Sequence, residues 1–404
     1  MRLLLLFALV AHVLAKYQLS QISISSGIIA LPVENGANLY VQSNDDEALL
    51  GVIKITNNLN TKTALELSKL GTNLDGTKTG WAITGEVTIS STNTQLDAAK
   101  LSGFVYYTTS TQAQDKSFVV YAVDSNKVIS YNNDDLTVVF LNQKIVWDDN
   151  TGTNLKRRVI RPTYVPTKSS QVYDYTTFPN SDMKIYWDEP TETYKNQNSQ
   201  DSKNNRIFSN PYPLTVPQYF DSVEPFQIFN DIWYLRSSGQ IRFQVRPKWD
   251  NPNGTTTSKV TTTGMVMCSF APENVTINML ANYANEAVTG MNMIYDLITP
   301  VVAKMSGFDM GMKPQGINRE SGLSKAPSTI FTITAQSNEA GRFAVQYFQI
   351  EGAPLPTTTP GPTTTAAATT TPQSTSTATV ATTTKLSAPS FNILVIIAAV
   401  FTMI

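Results

Sequence analysis

Cys268 is the only cysteine in the 404 residues, so no bridge can form within the chain. Apolar burial must therefore hold together whatever folds. Cys268 sits in the apolar run Gly264-Met265-Val266-Met267-Cys268-Ser269-Phe270, the setting of a buried core thiol. An intermolecular disulfide is the alternative.

The burial pattern is that of strands. Ile241, Phe243 and Val245 alternate with Arg242 and Gln244, the period of a half-buried strand. Similar stretches occupy 18–29, 38–42, 51–56, 80–90, 101–108, 117–123, 127–131 and 136–147, with Gly, Asn and Asp between them. Short strands at this spacing predict a mainly β chain of sandwich-like, jelly-roll-like units. Strands continue over 173–187, 259–270, 328–335 and 341–350, the last two as a closing hairpin. Residues 226–235 and 240–246 read as a further hairpin around Ser237-Ser238-Gly239. A turn of helix is expected at 65–70 and a loop at 307–325. One long helix is expected near 276–298, where Leu280, Ala284, Ala287, Met291, Ile294 and Ile298 recur every three or four residues before Pro300.

The chain ends read as addresses. Residues 1–15 carry one basic residue, an apolar core and a small-residue end, the pattern of a secretory signal peptide. Residues 354–384 contain 15 Thr and 5 Pro, a stalk suited to dense O-glycosylation. Residues 391–404 form an apolar tail of 14 residues, short of the roughly 20 a spanning helix needs. Small residues, a polar spacer and an apolar tail spell a GPI-attachment signal, with Ser376 and Ala381 as approximate attachment sites. The expected plan is a signal peptide (1–15), two β units (16–150 and 151–353), a disordered stalk (354–390) and a tail (391–404). The junction falls at 148–166, where Lys156-Arg157-Arg158 could be a processing site or part of a plain solvated linker.

Composition limits the chemistry. His12 is the only histidine, and it leaves with the signal peptide. Histidine-based general bases, Ser-His-Asp triads and histidine-ligated zinc are thereby excluded. Removing Arg2 leaves 29 basic and 31 acidic residues with no basic stripe, so nucleic acid is not an expected partner. No P-loop, GxGxxG or GxSxG motif is present, and no cofactor is expected. The acid pairs Asp45-Asp46, Asp134-Asp135, Asp148-Asp149 and Asp188-Glu189 read as solvated turns. A loop calcium site at Asp148-Asp149-Asn150 is the sharper alternative. The aromatics of 164–187 and 208–249 could stack on sugars or fill a core. Two sequons, Asn253-Gly254-Thr255 and Asn274-Val275-Thr276, mark Asn253 and Asn274 for N-glycosylation.

The opening Ser26-Gly27-Ile28-Ile29 with Pro32, and the closing Phe331-Thr332-Ile333 with Arg342-Phe343-Ala344-Val345-Gln346, resemble the nematode CUB-like secreted proteins. That resemblance implies a CUB-like sandwich, a GPI-type tail and an extracellular interaction module, with a role in innate immune or stress responses. The expectation is a non-enzymatic, GPI-anchored glycoprotein on the outer face of the plasma membrane. Its membrane contact is a lipid anchor, and its ligand is an extracellular protein or a carbohydrate. A structural surface coat is the second reading. A hydrolase working through two carboxylates is the third.

Overall fold

The strand Ile232–Arg246 runs through the centre of the molecule. The computed structural model describes residues 15–350 apart from 23–26, 94–95, 146–167, 197–204, 215, 251–253, 258, 270–273, 281–287, 298–300, 306–307, 313–314, 325–327 and 336–340. In the second half of the central strand Ile241, Phe243 and Val245 are buried and Arg242 is exposed, as alternation predicts. In its first half six consecutive residues are buried, because both faces of the sheet are covered there.

On one face Trp233 and Leu235 pack with Val138, Phe140, Ile185 and Trp187, and against Met265, Met267 and Ala344 of the next sheet. On the other face Ile232 and Tyr234 pack with Val139, Leu141 and Tyr186, and against Tyr40, Phe104 and Tyr106. The central strand belongs to a seven-stranded sheet. It lies between Asp182–Trp187 and Lys127–Asn142, with Arg206–Asn210 and Phe118–Val123 outside them. Ser170–Thr176 and Phe226–Ile228 complete the sheet beside the far end of the central strand. These strands come from both sides of residues 146–167; the expected junction at 148–166 lies outside the described residues.

Two four-stranded sheets form the part nearest the N-terminus. Leu39, Val41 and Val105 of one meet Ile53, Ile55, Val87 and Ile89 of the other in a shared core. The expected turn of helix is Ala64–Ser68. It starts with a capping box: the Thr63 hydroxyl accepts from the Glu66 N–H at 3.1 Å, and the Glu66 carboxylate accepts from the Thr63 N–H at 2.6 Å. Among the described residues two five-stranded sheets make up the rest, so the fold is mainly β with sandwich-like packing.

Four expectations are corrected. The long helix near 276–298 is instead two strands, Asn274–Leu280 and Val288–Leu297, in different sheets. Every residue from Thr289 to Tyr295 is buried, so Met291 and Ile294 met a helical count while lying in a strand. Gly290 and the Asn residues of this stretch are also poor helix formers. The expected hairpin at Ser237-Ser238-Gly239 is absent. The strand continues through Gly239, which adopts φ +80° beside a register shift between Asn133 and Leu136 of its partner. The turn-like residues therefore serve a β-bulge. The closing hairpin is also absent: Ser328–Ala335 pairs with Asn274–Leu280, and Gly341–Ile350 pairs with Thr262–Ser269, in separate sheets. The loop at 307–325 carries the strands Phe308–Met312 and Gln315–Ser324.

Gly264 shows how closely these sheets pack. It faces Tyr347 across the Thr262–Ser269 and Gly341–Ile350 pair. A Cβ there would lie 2.2 Å from the Tyr347 hydroxyl oxygen and 2.4 Å from the ring carbon that bears it. Tyr347 is buried and cannot swing into solvent. Gly264→Ala is expected to cost about 1–3 kcal/mol in urea unfolding; an unchanged midpoint would show that the ring moves aside freely.

Candidate functional site

A cleft of about 260 Å³ opens where the seven-stranded sheet meets the two five-stranded ones. Its apolar lining includes Phe226, Phe229, Met265, Met267 and Ile277, all buried. Strand alternation sends Met265 and Met267 to the same face, and Phe226 arrives from the short strand that pairs with Ser170–Thr176.

The polar lining is organised by Gln171 and Gln227, Cα partners across that antiparallel pair. Gln171 donates to Asp250 Oδ2 at 2.9 Å and accepts from Arg246 Nε at 2.8 Å. The Arg246 guanidinium lies 4.3 Å from the Tyr173 ring centre. Asp250 also pairs with Lys248 at 2.7 Å. Gln227 donates its side-chain N–H to the Asp250 carbonyl. Its Oε1 is buried without a hydrogen-bond partner, and the residue is 8 % exposed. Such an acceptor carries a desolvation penalty until a donor reaches it. Glu224 and Tyr347 complete this side, and burial followed by the Glu224 charge pushes the Tyr347 phenol up. A compact apolar surface beside amide and carboxylate acceptors suits a ligand with one apolar face and several N–H or O–H donors. A saccharide ring has that chemistry.

The sequence-derived positions fall in different places. Asn274 begins the strand Asn274–Leu280. Asn253, Ser376, Ala381 and Asp148-Asp149-Asn150 lie outside the described residues. Four acids read as solvated turns have structural partners: Asp135 pairs with Arg236 at 2.9 Å, Asp188 pairs with Arg342 at 2.7 Å, and Asp45 and Asp46 accept hydrogen bonds. Asp45 accepts from the Ser102 N–H at 2.9 Å, the Gly103 N–H at 2.8 Å and the Ser43 hydroxyl at 2.7 Å. Burial alone would raise its carboxyl, but hydrogen bonds from Ser102, Ser43 and Gly103 outweigh this and hold it low. Asp46 caps the helix Glu47–Gly51, accepting from the Ala48 N–H at 2.7 Å. Among the described residues no three His, Cys, Asp or Glu side chains are grouped to hold a metal. The aromatics weighed as sugar platforms are largely core: Trp187, Phe208, Phe226, Trp233 and Phe243 are all buried, while Tyr219 is 47 % exposed. The cleft's polar residues carry no motif, and only the aromatic density around 208–249 pointed near them.

The family model described as "Transmembrane glycoprotein" matches residues 34–402. No curated protein matches this chain. Among solved structures, the CUB1-EGF-CUB2 domains of rat MASP-1 are similar at 8 % identity, with 57 % of this chain and 99 % of that one covered and a TM-score of 0.19. The corresponding human MASP-1/3 structure shows 8 % identity, 56 % and 100 % coverage and a TM-score of 0.19. An uncharacterized protein of Listeria monocytogenes shows 8 % identity, 80 % and 30 % coverage and a TM-score of 0.17. At such TM-scores these likenesses carry no functional argument.

Proposed function

The chain belongs to the transmembrane glycoprotein family, and on that premise we propose that it is a non-enzymatic binding module displayed outside the cell. Membership of that family supports a cell-surface glycoprotein. The observation that carries the binding reading is the cleft, where apolar side chains lie beside the amides of Gln171 and Gln227 and the carboxylates of Glu224 and Asp250. We assign it a saccharide ligand. At about 260 Å³ it is slightly smaller than the ~300–1,000 Å³ of drug-sized ligand sites, so it takes one sugar ring rather than a chain. The absence of histidine beyond residue 12 supports binding over hydrolysis. A role in innate immune or stress responses follows only from the resemblance to CUB-like proteins.

The proposed attachment is a GPI anchor near Ser376 or Ala381, carried on the Thr/Pro stalk. The order of small residues, polar spacer and apolar tail supports it. No helix among the described residues is long and apolar enough to cross a membrane, and the tail itself lies outside them.

Two measurements test this. Phosphatidylinositol-specific phospholipase C is expected to release the protein from intact cells, and full retention would refute the lipid tether. The chain stripped of its own N-linked sugars is expected to bind members of a saccharide array. Gln227→Leu, which removes the acceptor at similar size, is expected to weaken that binding about tenfold. An array with no bound saccharide would remove the ligand assignment.

A further inference from the structure

The charge on the cleft wall has one sign. Among the described lining residues the charged side chains are Glu224 and Asp250, both acids. Asp250 is satisfied within the protein, by the Lys248 ammonium at 2.7 Å and the Gln171 amide at 2.9 Å. The neighbouring Arg246 is engaged as well, through Gln171 at 2.8 Å and over the Tyr173 ring. Glu224 is different: among the described residues no ion pair includes it. The backbone holds it in place. Its N–H donates to the Thr263 carbonyl at 2.8 Å, and Val223 before it pairs with Thr263, on the strand that carries Met265 and Met267. The residue is half-buried, and its charge reaches the Tyr347 phenol beside it in the cleft.

A ligand that covers this carboxylate displaces its water. A sugar hydroxyl returns an ordinary hydrogen bond, whereas an ammonium returns a charge-assisted one, roughly twice as strong. A carboxylated sugar brings a like charge towards Glu224 and Asp250 and is disfavoured. Size points the same way. The cleft of about 260 Å³ has room for one ring, and an N-acetyl group adds bulk while it removes the positive charge. We infer that the cleft selects a hexosamine with a free amino group, bound as its ammonium ion with Glu224 as the counter-charge. This specificity rests on the reading of the cleft as a saccharide site.

The test uses the full chain, stripped of its N-linked sugars, and the methyl glycosides of glucosamine, N-acetylglucosamine, glucose and glucuronic acid. Titration calorimetry at about pH 6, where the amine is protonated, is expected to show the glucosamine glycoside binding at least tenfold more tightly than the glucose and N-acetyl forms, with the glucuronide weakest. At about pH 9.5, where the amine is neutral, its advantage over glucose is expected to fall to about twofold or less. In Glu224→Gln, which keeps the size and removes the charge, the glucosamine and glucose glycosides are expected to bind alike at pH 6. Glucose or the N-acetyl form binding wild type as tightly as glucosamine at pH 6 would overturn the amine preference and leave the saccharide reading intact. So would a preference that survives in Glu224→Gln. The wild-type comparison needs no substitution, so it decides the point even where the variant fails to fold. Binding to other members of a saccharide array but to none of the four glycosides would overturn this inference alone. No binding to either would overturn both.

Discussion

Trp233→Ala is expected to destabilise the fold by about 4 kcal/mol, the upper part of the range for removing a fully buried ring. Trp233 has no exposed surface. Its ring stacks on Phe140 with centroids 4.0 Å apart and planes 16° from parallel. The two residues are Cα partners on adjacent strands, and Trp187 partners Trp233 from the other side. The indole N–H donates to the Ser170 hydroxyl at 2.8 Å. Truncation therefore removes a large apolar area, opens a cavity between strands and takes a partner from a buried Ser170. Trp233→Phe keeps most of the area and loses the hydrogen bond, so its cost should be nearer 1–2 kcal/mol. Urea unfolding followed by far-ultraviolet circular dichroism checks both values. A Trp233→Ala cost below about 1 kcal/mol would mean that this stack is not the centre of the core. The position matters as much as the side chain. Trp233 lies in the strand that holds two cores together, one on each face, so its loss should lower the stability of the whole sheet stack.

The same strand shows what a linear reading can recover. Ile241, Phe243 and Val245 were legible because only one sheet face is buried there, and alternation then marks that face. Thr289 to Tyr295 were not, because burial on both faces erases alternation. With the period gone, helix and strand cannot be told apart by pattern. Gly239 was read as a turn since glycine marks positive φ, and the structure spends that freedom on a bulge. Asp45 and Asp46 looked alike as an acid pair, yet one is held by hydrogen bonds from Ser43, Ser102 and Gly103 and the other caps a helix. Which amides an acid meets depends on chain segments 57 and 58 residues away for Asp45. The cleft was hidden for the same reason. Gln171, Glu224, Met265, Ile277 and Tyr347 reach it from separate strands and loops, and a period assigns faces, never neighbours.

Asp231→Ala is expected to cost about 3 kcal/mol at neutral pH, because it strands two partly buried ammonium groups. Asp231 accepts from Lys168 Nζ at 2.7 Å and Lys16 Nζ at 3.1 Å, and from the side-chain amide of Gln18. Side-chain exposure is 11 % for Lys168, 20 % for Lys16 and 19 % for Asp231. The site thus ties the first strand, and the segment just past 146–167, to the residue before the central strand. Lys168 also lies 4.8 Å from the centre of the Phe104 ring. Burial would by itself raise the Asp231 carboxyl, but the charges and hydrogen bonds of Lys168 and Lys16 overcome it and hold the carboxyl below its usual range. A carboxylate depressed in the folded state binds a proton more readily in the unfolded chain. Its stabilisation is therefore complete above the unfolded value near 4 and fades as pH falls through the lower folded value. The gap between wild type and Asp231→Ala should be flat from about pH 7 to pH 5 and narrow below about pH 4. Asp231→Asn keeps the shape and tests the charge alone, so it should lose part of this stability and all of its pH dependence. Urea midpoints measured between pH 3 and pH 7 decide the point. A gap that widens in acid would show that the lysines do not govern this carboxylate, and that burial does.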